Sequence, residues 1–215
     1  MNIATWNIRG LGNKDKGRRV GSLINKFQIQ FIAIQETMVA NVSPCVLREV
    51  WKGVEFNGVQ VSLRGRSGGL VSCWREDFFK LKDNFQAQNW LATLVTFILF
   101  NIDVLIINVY APQNENEKKE IWYHITKMIL KWNGPTRVLG DSNSTLLPNE
   151  RLREEVDYVN MVNFNDFILK ANLIDQNIQN EMFTWDGPDG KMSRIDRILT
   201  NIEWLNLCPG AVVIA

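Results

Sequence analysis

Residues 136–143 read Thr-Arg-Val-Leu-Gly-Asp-Ser-Asn. The stretch follows a Gly134-Pro135 break, runs through apolar Val138 and Leu139, and ends in Gly140-Asp141-Ser142-Asn143. A short apolar run bounded by turn residues predicts an inner strand. Polar groups just beyond a buried strand sit on a rigid base and still reach solvent, which is where chemistry tends to lie. Asp141 can orient or deprotonate a water, and Asn143 can donate to an anion. The bland alternative is an Asp-Ser-Asn turn without a role. Four other predicted strands end in polar residues of the same kind, and that pattern favours chemistry.

Working outward, Asn2–Ile8 reads as a strand ending at Asn7, followed by the turn Arg9-Gly10-Leu11-Gly12. Gly17–Gln28 reads as a helix with Val20, Leu23, Ile24 and Phe27 on one face. Phe31–Ile34 is a wholly apolar strand that runs into Gln35-Glu36-Thr37. An ionised Glu there is costly unless it is paired, bound to a metal or able to reach solvent. Pro44–Trp51 reads as a short helix, and Phe56–Trp74 as a hairpin with the Gly-rich turn Arg64-Gly65-Arg66-Ser67-Gly68-Gly69. Gly68-Gly69 could serve phosphate or simply the turn. Leu91–Phe100 and Asp103–Tyr110 read as adjacent antiparallel central strands, the second ending at Tyr110. Tyr110 is then either a core residue or a phosphate contact.

The helix Glu117–Trp132 carries the stripe Ile121, Trp122, Ile125, Met128, Ile129 and Trp132. His124, the only histidine, lies beside that stripe. A single histidine excludes Ser-His-Asp chemistry of the usual kind and multi-histidine metal sites. Val156–Ala171 reads as a helix with Val159, Val162, Phe167 and Ile168 inward. Met182–Trp185, Ser193–Thr200 (which contains Asp196) and Ala211–Ala215 read as strands, and Ile202–Leu207 as a helical turn. Helices interspersed with hairpins of long apolar strands predict an α/β fold with two mixed β-sheets packed face to face and helices outside.

The bulk properties set limits. The 215 residues are 46% hydrophobic and 22% charged, which suits a single domain over 1–215 with a substantial core. A formal net charge of +1 argues neither for nor against nucleic acid. Local basic groups at Arg9 with Lys14, Lys16, Arg18 and Arg19, at Arg64 and Arg66, and at Arg194 and Arg197 are either solvated faces or phosphate clamps. Cys45, Cys73 and Cys208 have neither metal nor disulfide spacing, which favours a reducing compartment. The N-terminus lacks a signal-peptide pattern, and Trp90–Leu99 is too short to span a bilayer, so no membrane partner is expected.

Asn7, Glu36, Tyr110, Asp141 with Asn143, and Asp196 thus make a set of strand-end polar groups. Phosphodiester cleavage needs such a set. A carboxylate such as Glu36 can hold Mg²⁺, which keeps several waters and contacts substrate phosphate. Asp141 would position the attacking water, and Asn7, Asn143 and Tyr110 would supply donors.

The segments TWNIRGLG, IAIQET, NVYAPQ, GDSN and SRIDRIL occur in the order and rough spacing of the endonuclease/exonuclease/phosphatase (DNase I-like) superfamily, which this chain resembles. With the tail FTWDGPDGKMSRIDRILTNIEWL, it is most similar to endonuclease domains of plant LINE-type non-LTR retrotransposons. The resemblance implies a four-layer α/β/β/α sandwich, Mg²⁺ with Mn²⁺ as an alternative, DNA as substrate, a nuclear setting and a reverse transcriptase fused in the full-length element. It implies Glu36 as metal ligand, with Asn7 in the metal and water network. Tyr110 would contact the phosphate, and Asp141 and Asn143 would handle the water and the scissile phosphate. Asp196 matches the family's Asp that supports a catalytic His.

Two departures stand out. Ser142 occupies a place usually held by Phe. The family's terminal Ser-Asp-His motif, on a further strand, lies beyond the point where this sequence stops, so the last strand is expected to be missing and activity impaired. Losing one such group typically costs about 10²–10⁴ in rate. Three functions follow: an Mg²⁺-dependent DNA endonuclease, a non-catalytic remnant that keeps the fold and nucleic-acid binding, or a phosphatase of the same superfamily.

Overall fold

Phe31–Gln35, the second strand, is buried at every position, as a run without a polar side chain before Gln35 dictates. The structure, a computed structural model, describes residues 1–12, 14–51, 53–63 and 68–214, and of Lys14 the backbone only. Arg64 and Arg66, the first four residues of the Gly-rich turn, the Lys14 side chain and Ala215 therefore lie outside the described residues. The chain divides into two compact units, Met1–Tyr110 and Ala111–Ala215.

In the first unit the order is β1 (Ile3–Asn7), α1 (Lys14–Lys26), β2 (Phe31–Gln35), α2 (Pro44–Trp51), β3 (Phe56–Val61), β4 (Leu70–Arg75), β5 (Phe79–Ala87), β6 (Trp90–Phe97) and β7 (Ile102–Tyr110). β1 and β2 pair in parallel, with Ile3 opposite Phe31 and Asn7 opposite Gln35. β4 pairs antiparallel with both β2 and β3. β5, β6 and β7 form an antiparallel run, as the two apolar segments around Asn101 predict for the last two.

Alternation along β2 and β4 divides their side chains between two layers. Ile32, Ile34, Val71 and Cys73 join Val20, Ile24, Val50 and Trp51 beneath the helices. Burial raises the Cys73 thiol to about 12. On the opposite face Phe31 stacks on Trp74 (5.7 Å between centroids) and meets Phe79 edge-on (5.8 Å). Phe79 in turn stacks on Phe97 (5.4 Å). β2 and β4 thus pack face to face on β6 and β7, the sheet-on-sheet arrangement expected from the sequence.

One polar side chain crosses this apolar layer. Asn108 of β7 is fully buried. Its Nδ2 donates to the Val71 carbonyl (3.1 Å) and the Ile34 carbonyl (3.3 Å). Its Oδ1 accepts from Gln35 Nε2 (2.6 Å), which also reaches Thr5 Oγ1 (3.0 Å). These bonds link β1, β2, β4 and β7 near the strand ends that carry Asn7, Glu36 and Tyr110.

The second unit contains α3 (Glu115–Trp132), β8 (Thr136–Asp141), β9 (Arg151–Leu152), α4 (Tyr158–Lys170), β10 (Ile174–Asp175), β11 (Trp185–Asp186), β12 (Met192–Ser193), β13 (Asp196–Thr200) and α5 (Ile202–Leu207). β8 is buried throughout. It pairs antiparallel with β13, which also pairs with β10. β9, β12 and β11 form a small antiparallel sheet. Asn114 caps α3, accepting from the Asn116 and Glu117 amides, and Asn133 ends it in the left-handed region (φ 52°). Trp122 of α3 packs on Phe164 and Phe167 of α4 (5.3 and 4.6 Å). His124 is exposed.

Several expectations are corrected. Phe27 lies past the end of α1 and is 40% exposed. Val159 and Val162 face solvent, because α4 turns Asn160, Met161, Phe164 and Phe167 inward. Met182 and Phe183 are outside the strand, which is only Trp185–Asp186. Residues 211–214 contribute one isolated bridge, Val213 with Ile178, in place of a strand. Arg194 and Arg197 form neither a solvated face nor a phosphate clamp. Arg197, with its side chain 2% exposed, pairs with Glu150 and, at 2.9 Å, with Asp175. Arg194 joins the same two carboxylates at 3.2 and 3.0 Å.

Candidate functional site

The polar strand ends form two clusters, one in each unit. In the first, β1 and β2 run in parallel and in register, so Asn7 and the residue just past β2 emerge at the same end. Asn7 Nδ2 donates to Glu36 Oε1 at 2.8 Å. Glu36 sits in the left-handed region (φ 51°), where a non-glycine residue costs roughly 1–2 kcal/mol. The surrounding backbone holds it there. The Gly10 amide donates to the Glu36 carbonyl (2.6 Å), the Leu11 amide to the Thr37 carbonyl (2.7 Å), and the Thr37 amide to the Gly69 carbonyl (3.1 Å). Gly69 has φ 83°, and a Cβ there would lie 2.3 Å from Thr37 Oγ1. The glycine pair therefore serves close backbone approach to Thr37, with its carbonyls turned toward the Thr37 and Met38 amides.

Tyr110 ends β7 half-buried. Its amide donates to the Asn89 carbonyl (2.9 Å), and Asn89 Nδ2 returns a bond to the Tyr110 carbonyl (3.0 Å). Backbone on both sides of the tyrosine is thereby fixed.

The second cluster is built on β8 and β13. Asp141 and Asp196 are direct partners across the antiparallel pair, so their side chains emerge on one face. Asp141 is 4% exposed, and its Oδ1 accepts the Asn143 amide at 2.9 Å. Ser142 Oγ donates to the Ile195 carbonyl (2.6 Å), and the Ser142 amide reaches the same carbonyl (2.9 Å). The small residue at this place thus anchors the loop to the residue before Asp196 by hydrogen bonds. The Thr184 hydroxyl accepts the Ile195 and Asp196 amides (3.1 and 2.9 Å).

Asn143, also left-handed (φ 47°), makes a hydrogen bond at each of its two polar side-chain atoms. Its Nδ2 donates to the Ala111 carbonyl (2.6 Å), and its Oδ1 accepts from Gln113 Nε2 (2.8 Å). The Asn143 carbonyl accepts from Lys118 Nζ (2.8 Å). Lys118 is 2% exposed and pairs with Glu115 (2.8 Å), whose Oε1 also receives Asn160 Nδ2 (2.7 Å). Burial acts to raise the Glu115 carboxyl, but the Lys118 and Asn160 bonds outweigh it and hold the group below the usual glutamate range.

Sequence reading singled out Asn7, Glu36, Tyr110, Asp141, Asn143 and Asp196. The structure joins Asn7 to Glu36, Asp141 to Asn143, and places Asp196 opposite Asp141. Gln113, Glu115, Lys118 and Asn160 were missed. Gln113 lies inside the NVYAPQ segment, and Lys118 falls four residues before Trp122 on the apolar stripe of α3, so both carried a signal.

Among the described residues, no three His, Cys, Asp or Glu side chains cluster as a metal cage. Mg²⁺ does not need one, because it keeps several waters and is commonly held by one or two carboxylates. Glu36, oriented by Asn7 at a strand end, fits that hard-oxygen requirement. Among the described residues no helix is long and apolar enough to cross a membrane.

Neither models of known protein families nor curated proteins match the chain. Solved structures do. The 3′-5′ exonuclease NExo from Neisseria meningitidis superposes with a TM-score of 0.73 at 19% identity, over 94% of this chain and 87% of that one. The catalytic domain of Xenopus laevis APE2 gives 0.70 at 19% identity, over 96% and 84%. The endonuclease domain of TRAS1, a telomere-specific non-LTR retrotransposon, gives 0.69 at 13% identity, over 95% and 87%. The fold of this chain is that of the endonuclease/exonuclease/phosphatase (DNase I-like) superfamily.

Proposed function

We propose that the chain is a divalent-metal-dependent phosphodiesterase that nicks DNA, using Mg²⁺ or Mn²⁺. The observation that carries the reading is the Asn7–Glu36 hydrogen bond at the ends of two adjacent parallel strands, a carboxylate held for an oxygen-seeking cation. Nuclease neighbours of the same fold support the substrate class. Glu36 and Asn7 would hold the metal, which when bound polarises the phosphate and offsets charge in the transition state.

The chain's own residues do the rest. Asp141, fixed by the Asn143 amide, orients the attacking water and takes its proton. Asn143 Nδ2 keeps a second hydrogen for a phosphate oxygen after bonding Ala111. Tyr110 donates its phenol to the phosphate. Asp196, opposite Asp141, sets the polarity at that strand end. The likeness to the TRAS1 domain, with the SRIDRIL-containing tail, supports descent from a retrotransposon endonuclease.

Supercoiled-plasmid nicking tests the proposal. Nicked circles bearing 3′-hydroxyls should form with Mg²⁺ and disappear with EDTA. Asp141→Asn should slow the reaction by about 10²–10⁴. Rapid nicking in EDTA, or unchanged nicking by Asp141→Asn, would refute it. DNA binding without nicking would instead identify a non-catalytic DNA-binding protein.

A further inference from the structure

We infer that Lys118 and Gln113 are positioning residues that set the Asn143 carboxamide for phosphate contact. The inference rests on the cleavage reading above, and it concerns groups that the reading does not otherwise use.

Lys118 is out of place on ordinary grounds. It stands in the first turn of α3, where the helix dipole disfavours a cation. It is also buried, and taking an ammonium out of water is expensive unless its protons are matched. A simple surface pair with Glu115, three residues earlier, would avoid both costs. The chain instead folds Lys118 inward, so that one proton goes to Glu115 and another to the Asn143 carbonyl, each at 2.8 Å. Asn160, 2% exposed, braces the arrangement by donating to Glu115 (2.7 Å) and to Ser144 Oγ (3.1 Å).

The carbonyl that Lys118 grips belongs to the residue with φ 47°. Rotating Asn143 to the right-handed region would turn that carbonyl away and leave a buried ammonium proton unmatched. Lys118 therefore holds the strained backbone that aims the side chain. Gln113 completes the constraint. By donating to Oδ1 it fixes which end of the carboxamide carries nitrogen, while the Ala111 carbonyl takes one hydrogen of Nδ2. The second Nδ2 hydrogen is thereby held in one direction before substrate arrives. A donor fixed in advance is worth more to a developing charge than one that must reorient.

Two readouts test the inference. In the ¹⁵N-labelled chain, the Asn143 side-chain amide protons should be dispersed and slow to exchange. In Gln113→Ala, an exposed position that should not perturb folding, they should move to the free-carboxamide region. In Lys118→Met the Asn143 backbone amide should shift. In plasmid nicking, Lys118→Met should lower turnover at saturating DNA by about 10²-fold while the half-saturating DNA concentration stays within about two-fold. Lys118→Arg should recover part of the loss. A merely structural role would lower the folded fraction and leave the turnover of folded molecules unchanged. Asn143 signals that overlay those of the parent chain in both variants, or full turnover in both, would overturn the inference. If the parent chain does not nick, the cleavage reading fails and the amide signals alone decide whether the clamp exists.

Discussion

Replacing Asn108 by Leu tests how the core supports the candidate site. The change keeps the heavy-atom branching of the side chain and removes its polar contacts. Asn108 supplies bonds to the Val71 and Ile34 carbonyls and accepts from Gln35 Nε2, all in a layer without exposure to water. Each net bond contributes about 1 kcal/mol, and a buried polar partner left unmatched costs about 1–3 kcal/mol. Gln35 keeps Thr5 Oγ1, which softens its loss. The expected destabilisation is about 3–4 kcal/mol, a large share of the roughly 5–15 kcal/mol that a native chain has in total. Asn108→Ala should add about 1 kcal/mol for the cavity. Urea unfolding followed by tryptophan fluorescence measures both. With a similar m-value, the midpoint of Asn108→Leu should fall well below that of Asn84→Ala, an exposed control on β5. A loss under 1 kcal/mol for Asn108→Leu would refute the view that this hydrogen-bonded set pins the sheets together.

Other outcomes follow from the same physics. Arg197→Met should cost about 3–5 kcal/mol in urea melts, because Glu150 and Asp175 are left buried with one arginine between them; a neutral result would contradict that role. Gly69→Ala should destabilise by more than about 1 kcal/mol, from its positive φ and its Cβ contact with Thr37, and an unchanged midpoint would contradict the close approach. Glu115 is held below its ordinary range, so its stabilisation is present above the unfolded value, about pH 4.3, and is lost as pH falls through the lower folded value. The stability difference between the chain and Glu115→Gln should therefore be largest near neutral pH and shrink in acid; a difference that grows in acid would show the sign is wrong.

Much of this was legible in the residues. Residues 136–141 form a wholly buried strand because Val138 and Leu139 lie between a Pro/Gly break and a polar end. The apolar segments flanking Asn101 pair as read. What escaped had physical reasons. β5 is an edge strand with only Phe79 buried and a register shift between Leu81 and Asp83, so it shows no apolar alternation. α4 has apolar residues on more than one face, and the choice between them depends on Trp122, which is distant in sequence. Arg197 looks like a surface cation until Glu150 and Asp175, far along the chain, meet it. Lys118 was hidden by its acidic and basic neighbours in ENEKKE, although its position on the stripe predicts an inward direction. Strand ends are local facts, whereas ion partners are not.

Manganese binding, followed by the EPR signal of free Mn²⁺, tests the metal reading at its source. The chain should sequester Mn²⁺ in a manner competed by Mg²⁺, and Glu36→Gln, which keeps the shape of the side chain beside Asn7 but removes its charge, should abolish that binding along with plasmid nicking. Equal Mn²⁺ uptake by the Glu36→Gln variant, or nicking that survives in it, would contradict the assignment of the Asn7–Glu36 pair as the cation site.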